Sequence, residues 1–228
     1  MDYGPEEPRG DEPFWFDEPR RHEDTTMALN VKNPGAKDFK RVPQGIHAAV
    51  CNMVVDCGIQ PGGKFKPRHQ VYIRWEIPAE RVEWTDRLGE VHEGPMNIGK
   101  FYTASLAEKA ALRRDLENWR GRAFTREELA GFDLFKILGT ACRLMVTHSA
   151  QDGETYSNVS GVMGFPKDQP KPKAAHHLVK YSPEEPEQFD QLPRWLRDKV
   201  ASSLTAPASG SGYGESEPQE DLPFMREA

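Results

Sequence analysis

The sequence predicts a mainly β domain with a few helices, in the order β-β-β-α-β-β, flanked by disordered termini. Three observations carry that prediction. The stretch "RHQVYIRWEIP" alternates, with Val71, Ile73, Trp75 and Ile77 on one side and Tyr72, Arg74 and Glu76 on the other, which is the period-two mark of a half-buried strand. One segment, "SLAEKAALRRDLENWRGR", carries helical periodicity and helix end signals. Both ends are acidic and rich in Pro, Gly or Ser, a composition that buries too little apolar surface to fold alone.

The N-terminal 26 residues hold nine acids against three bases and show neither period. Disorder is expected over 1–29, although the cluster Phe14, Trp15, Phe16 has the chemistry of a docking element. The folded domain is placed at 30–166. Its first strand is "GIHAAVCNMVVDCGIQ", rich in β-branched and small apolar residues. Cys51 and Cys57 lie six apart and would share one face of that strand. The turn "PGGKFKP" follows, with Lys64 and Lys66, and then the alternating second strand. "RVEWTDRLGEVHEGPMN" reads as an exposed loop or edge region, and "IGKFYTASL" as a third strand.

The helix starts from a capping box, Ser105 with Glu108. It runs along the stripe Leu106, Ala110, Leu112 or Arg113, Leu116 and Trp119, and stops at Gly121. A second box, Thr125 with Glu128, opens "TREELAGF", and "FDLFKILG" continues as a short helix or turn. Two strands, "ACRLMVTHSA" and "TYSNVSGVMGFP", joined at "QDGE", close the body. Residues 167–204 form a Pro/Lys linker plus one amphipathic helix bearing Leu192, Trp195, Leu196 and Val200, expected to pack back on the body or to serve a partner. Residues 205–228 form a Ser/Gly/Pro tether ending in the acidic stretch Glu220, Asp221, Leu222, Pro223, Phe224. This chain order is that of the OB-fold, a five-stranded Greek-key barrel, and other small barrels and α+β domains share it.

Charge and motifs narrow the function. The formal net charge is −6, yet residues 30–180 carry 23 bases against 17 acids. A mildly basic body between acidic ends suits a polyanion. Single-stranded nucleic acid needs cations for its phosphates and flat side chains for its bases. The candidates are Lys64, Lys66, Arg68, His69, Tyr72, Arg74, Lys100, Phe101 and Tyr102, with Arg143 and Tyr156 on the closing hairpin completing the surface. Core packing is the competing role for Tyr72, Phe101 and Tyr156, and Trp75 on the apolar face is assigned to the core.

No Walker loop, GxSxG or HExxH occurs, so no catalytic residue is assigned and a non-catalytic role is expected. Three cysteines without CxxC spacing read as small buried thiols. The seven histidines show no ligand spacing, so neither a metal nor a cofactor is expected. No apolar run approaches the roughly 18 residues of a membrane span, and the N-terminus lacks signal-peptide regions. A cytoplasmic protein is the expectation.

The stretches "VPQGIHAAVCNMVVDCG", "HQVYIRWEIP", "KFYTASLAEKAALRRDLENWRGRAFTREELAGFDLFKILG" and "YSNVSGV", over roughly 42–165, resemble bacteriophage single-stranded DNA-binding or replication-associated OB-fold proteins. Glu220 to Phe224 is similar to the D-D-D-I-P-F tip of bacterial single-stranded DNA-binding proteins, although four residues, Met225 to Ala228, follow the Phe here. The resemblance implies a protein that coats single-stranded DNA and recruits replication or recombination proteins by its tip, with self-association left open. An adaptor that binds proteins and not DNA is the alternative.

Overall fold

The computed structural model describes residues 40–205, apart from 87 and 152. The readings on 1–29 and on Glu220, Asp221, Leu222, Pro223 and Phe224 therefore lie outside the described residues. Six strands form one sheet: β1 (Gly45–Gln60), β2 (Arg68–Thr85), β3 (Val91–Thr103), β4 (Ala141–Gln151), β5 (Glu154–Gly164) and β6 (Val179–Tyr181). The helices are α1 (Ala111–Arg120), α2 (Arg126–Ala130) and α3 (Arg194–Ala201), with short 3-10 turns at Leu134–Ile137 and Pro186–Gln191. The fold is mainly β and OB-fold-like, in the predicted order.

Strands pair antiparallel in the order β3-β2-β1-β4-β5, and β6 joins β1 in parallel. β3 and β5, the two ends of that order, come together with α1 packed against both. β1 serves two neighbours along its length, pairing with β4 through Gly45–Val50 and with β2 through Val50–Gln60. The barrel interior holds Val54, Ile73, Trp75, Ile77, Met96, Leu116, Leu144 and Val162. Trp119 of α1 reaches in from the side and donates its indole N–H to the Ala141 carbonyl at 2.9 Å.

A second core lies on the outer face of β1 and β2. Met53, Val55, Cys57 and Tyr72 pack there against Val179, Tyr181, Leu192, Leu196 and Val200. β1 is thus buried on both faces, which is why it shows no alternation and reads as a near-continuous apolar run. The 167–204 segment is part of the same body. Its helix buries Leu196 and Val200 as its apolar face predicts, and β6 is a strand that its sequence did not suggest.

Several local expectations change. The stretch from Arg81, expected as an exposed loop or edge region, is a hairpin at the β3 end of the strand order: β2 continues to Thr85 and β3 begins at Val91, paired across Arg81 to Thr85. The Ser105–Glu108 box does not form; α1 starts from Ala110, five residues later, and the Ser105 hydroxyl accepts the Ala107 N–H instead. The Thr125–Glu128 box is made in full, and Gly121 ends α1 with φ 68°, the left-handed region glycine tolerates. All three cysteines are buried thiols. Cys51 and Cys57 do not share a face: Cys51 belongs to the inner core and Cys57 to the outer one, because the register slips at Asn52.

Candidate nucleic-acid interface

The outer face of β2 and β3 is where OB-folds take oligonucleotides, together with the flanking loops. Here Tyr72 and Phe101 stand opposite each other across the two strands, as do Arg74 and Gly99. The aromatic pair has ring centroids 4.8 Å apart. Gly99 has no side chain because the Tyr72 ring occupies its place: a Cβ there would meet the Tyr72 hydroxyl at 1.9 Å.

The chain's own C-terminal segment covers this face. Trp195 of α3 stands edge-on to Tyr72 at 5.3 Å and to Phe101 at 6.2 Å, and the Lys199 ammonium lies 4.6 Å from the Phe101 ring centre. Higher on the face, Glu76 is wholly buried. Its carboxylate accepts the Ala175 N–H at 2.6 Å, the His176 N–H at 3.2 Å and His176 Nδ1 at 2.6 Å, besides a 3.4 Å contact from Asn52. Asn52, at the β1 bulge, also donates to Asn97 and accepts Arg74 Nε at 3.0 Å. A buried carboxylate needs such a full set of donors, and here all three backbone and ring donors come from one extended segment, Ala175–His176. That segment is thereby fastened across the sheet.

This arrangement corrects part of the predicted surface. Tyr72 and Arg74 lie on the outer face of β2 as expected but are buried, 2% and 8% exposed, so neither meets a base or a phosphate in this conformation. Lys100 and Tyr102 point the other way. Strand alternation turns them toward α1, where Asp115 accepts the Lys100 ammonium and the Tyr102 hydroxyl, each at 2.9 Å. Burial, reinforced by that carboxylate, pushes the Tyr102 phenol well above its usual pKa. Phe101 is half-buried beneath Trp195 and Lys199. Arg143 is half-buried on the outer face of β4, opposite Ala48 and Met163. Tyr156 lies near the β4–β5 turn, with its hydroxyl donating to Glu154 at 3.2 Å. The eleven residues therefore do not form one surface.

The part that stays together and open is the β1–β2 connection. Lys64 and Lys66 are exposed, and so is Arg68, whose guanidinium stands 5.8 Å from the centre of the Phe65 ring. His69 lies beside them and pairs with Asp56 at 2.6 Å. Phe65, absent from the candidates above, is 73% exposed. Its signal was present in the sequence: an aromatic between two lysines in a Gly/Pro-flanked turn has no core to enter.

Asp86, Glu90 and His92 bring their donor atoms within 4.8 Å of one another in the β2–β3 turn. Asp86 accepts the Leu88 and Glu90 N–H groups and His92 Nε2, bonds that hold the turn and account for the cluster. Among the described helices none is long and apolar enough to cross a membrane. Comparison with protein-family models finds no match, and comparison with curated protein sequences finds none either.

Proposed function

We propose that this is a non-catalytic single-stranded DNA-binding protein, one that coats DNA in a phage replication or recombination module and recruits partners through Glu220–Phe224. The observation that carries the reading is the exposed Phe65 between Lys64 and Lys66, with Arg68 over its ring, on the β1–β2 loop of an OB-fold-like barrel. Such loops flank the oligonucleotide site of OB-folds. An exposed ring with three cations has what a strand requires: a stacking platform for a base and charge for its phosphates.

Anisotropy of labelled oligo-dT and of a matched duplex, each titrated at low and moderate salt, tests this. Tight, salt-sensitive binding of the single strand alone is the expected result, and binding of neither sinks the reading. One observation favours the second reading, an adaptor that binds proteins: Trp195 and Lys199 of the chain itself stand on Tyr72 and Phe101 of the β2–β3 face. Removal of residues 210–228 separates the two. A DNA binder keeps or gains affinity for oligo-dT, whereas an adaptor loses its protein partner.

A further inference from the structure

Cations on the body fall into two groups. One group is held by the chain's own carboxylates, as Lys100 is by Asp115, Arg122 by Glu128 and Lys180 by Glu185. Lys171 and Lys173 belong to the other: they are exposed and have neither an ion pair nor a hydrogen bond among the described residues. They lie on the segment that leads from β5 to β6. From 171 to 176 its burial alternates, with Lys171, Lys173 and Ala175 exposed and Pro172, Ala174 and His176 half-buried. That is the period of an extended chain resting one side on the body, and Pro170 and Pro172 favour the extended form. Glu76 of β2 fixes its far end through Ala175 and His176. His176 also lies over β3, where a Cβ on Gly94 would stand 4.0 Å from its Cε1. The two lysines therefore leave the same side of a fastened strap, their Cα atoms roughly 6–7 Å apart at the spacing of alternate residues in an extended chain.

Between 165 and 178 the only acid is Asp168, so the strap offers its lysines no carboxylate of its own beyond that one. Like charges side by side repel, and an anion from outside relieves that repulsion. Because the strap is already fastened, an anion that meets it pays little for ordering the backbone. We propose that Lys171 and Lys173 form a second phosphate station on the path of the single strand whose base stacks on Phe65. The inference rests on the DNA-binding reading and extends it from the β1–β2 loop to the strap across β3 and β2. Arg68 and Glu76 stand eight residues apart on β2, roughly 26 Å at strand rise. That exceeds three Debye lengths of about 8 Å, so loop and strap hold different phosphates. A stacked strand advances about 3.4 Å per nucleotide, so on the order of eight nucleotides join the two stations, within the range of about 4–16 for one OB-fold.

The test is lysine footprinting on the full chain. The protein is acetylated briefly with and without an oligo-dT of about sixteen nucleotides, the upper site size of an OB-fold, and the modified lysines are read by peptide mass. Lys109 and Lys136, exposed and likewise without a partner among the described residues, are the internal references. Lys171 and Lys173 should react several-fold more slowly when oligo-dT is bound, as should Lys64 and Lys66, while the references keep their rates. Lys171→Ala combined with Lys173→Ala should lower the slope of log K against log salt by about 1.4, from two contacts at about 0.7 each, with the melting profile unchanged. Protection of Lys64 and Lys66 with full reactivity at Lys171 and Lys173 would overturn this inference and leave the loop site standing. Equal slowing at all lysines, the references included, would mean coating by charge alone and would overturn it too. No binding of oligo-dT at any salt would remove the DNA-binding reading itself and the station with it.

Discussion

His176 Nδ1 stands 2.6 Å from a carboxylate oxygen of Glu76, a side chain with no exposed surface. The same carboxylate takes the backbone N–H groups of Ala175 and His176. Three donors from two adjacent residues therefore converge on one buried charge, and the segment leading into β6 is held by it. Glu76→Gln replaces an acceptor-only group by one that also donates, so one N–H must lose its partner. The expected loss is about 1–3 kcal/mol of stability, measured by urea unfolding, with faster hydrogen exchange at Ala175 and His176. His176→Ala should cost less, because that side chain is 40% exposed and its backbone bond survives.

Gly99→Ala tests how tightly the outer core is built. The new methyl would stand 1.9 Å from the Tyr72 hydroxyl and 2.2 Å from Cζ, so the ring must tip toward Trp195 and Phe101. Overpacking of this kind costs typically 1–3 kcal/mol, read as a lower melting temperature. Combined with Tyr72→Ala, the Gly99→Ala change should add almost nothing, since the atoms it meets are gone. A full additive loss in the double variant would show that the strain lies in the backbone instead.

The outer core also marks the boundary of what could be read from the sequence. β1, the start of β2, the Thr125 cap and the Gly121 stop were legible because each is a local pattern. The alternation around Trp75 placed that side chain in the interior, where it is. The cover on the outer face was not legible, since pairing of Val179–Tyr181 with Met53–Val55 joins segments more than a hundred residues apart. A trace of it was nonetheless present: "VCNMVV" does not alternate, and a strand apolar on both faces needs a layer on each. Lys100 and Tyr102 neighbour Phe101 in sequence, yet period two sends them to the opposite side, toward Asp115. Phe65 belongs to no period, because it sits in a turn between two lysines.

Acid should weaken the α1–α2 corner in a defined window. Glu128 accepts bonds from Arg122, Arg120 and the Thr125 N–H, and these hold its carboxyl down at about 2, against an ordinary value of 4.5. A depressed carboxylate contributes stability that is present above its ordinary value and is lost as pH falls through the folded one. Glu128→Gln should therefore melt below the parent protein at neutral pH, and the gap should narrow between pH 4.5 and 2. A gap that stays constant through that window would mean the ion pairs contribute nothing and the loss is one of packing.

Removing the aromatic and the charges of the β1–β2 loop should act on different observables. Phe65→Ala deletes a stacking platform worth about 1–3 kcal/mol per base, so affinity for oligo-dT should fall with little change in salt dependence. Lys64→Ala and Lys66→Ala should each flatten the slope of log K against log salt by about 0.7 for every phosphate contact removed. The loop is exposed, so melting temperatures should stay near that of the parent. Unchanged affinity and slope in all three variants would place any DNA site elsewhere.

The covered face supplies the complementary prediction. Leu196 is fully buried where α3 meets the sheet, and Leu196→Asp puts a charge into that contact, which costs far more than docking a two-turn helix returns. α3 should leave the face while the barrel, whose own core lies on the other side of β1 and β2, stays folded. Tyr72 and Phe101 would then be exposed beside Arg68 at the start of β2. If α3 occupies the place of an oligonucleotide, affinity for oligo-dT should rise at least about fivefold, the equivalent of one stacked base. If affinity stays level while hydrogen exchange shows α3 released, the strand is held by the loop alone and the helix is a permanent wall of the fold.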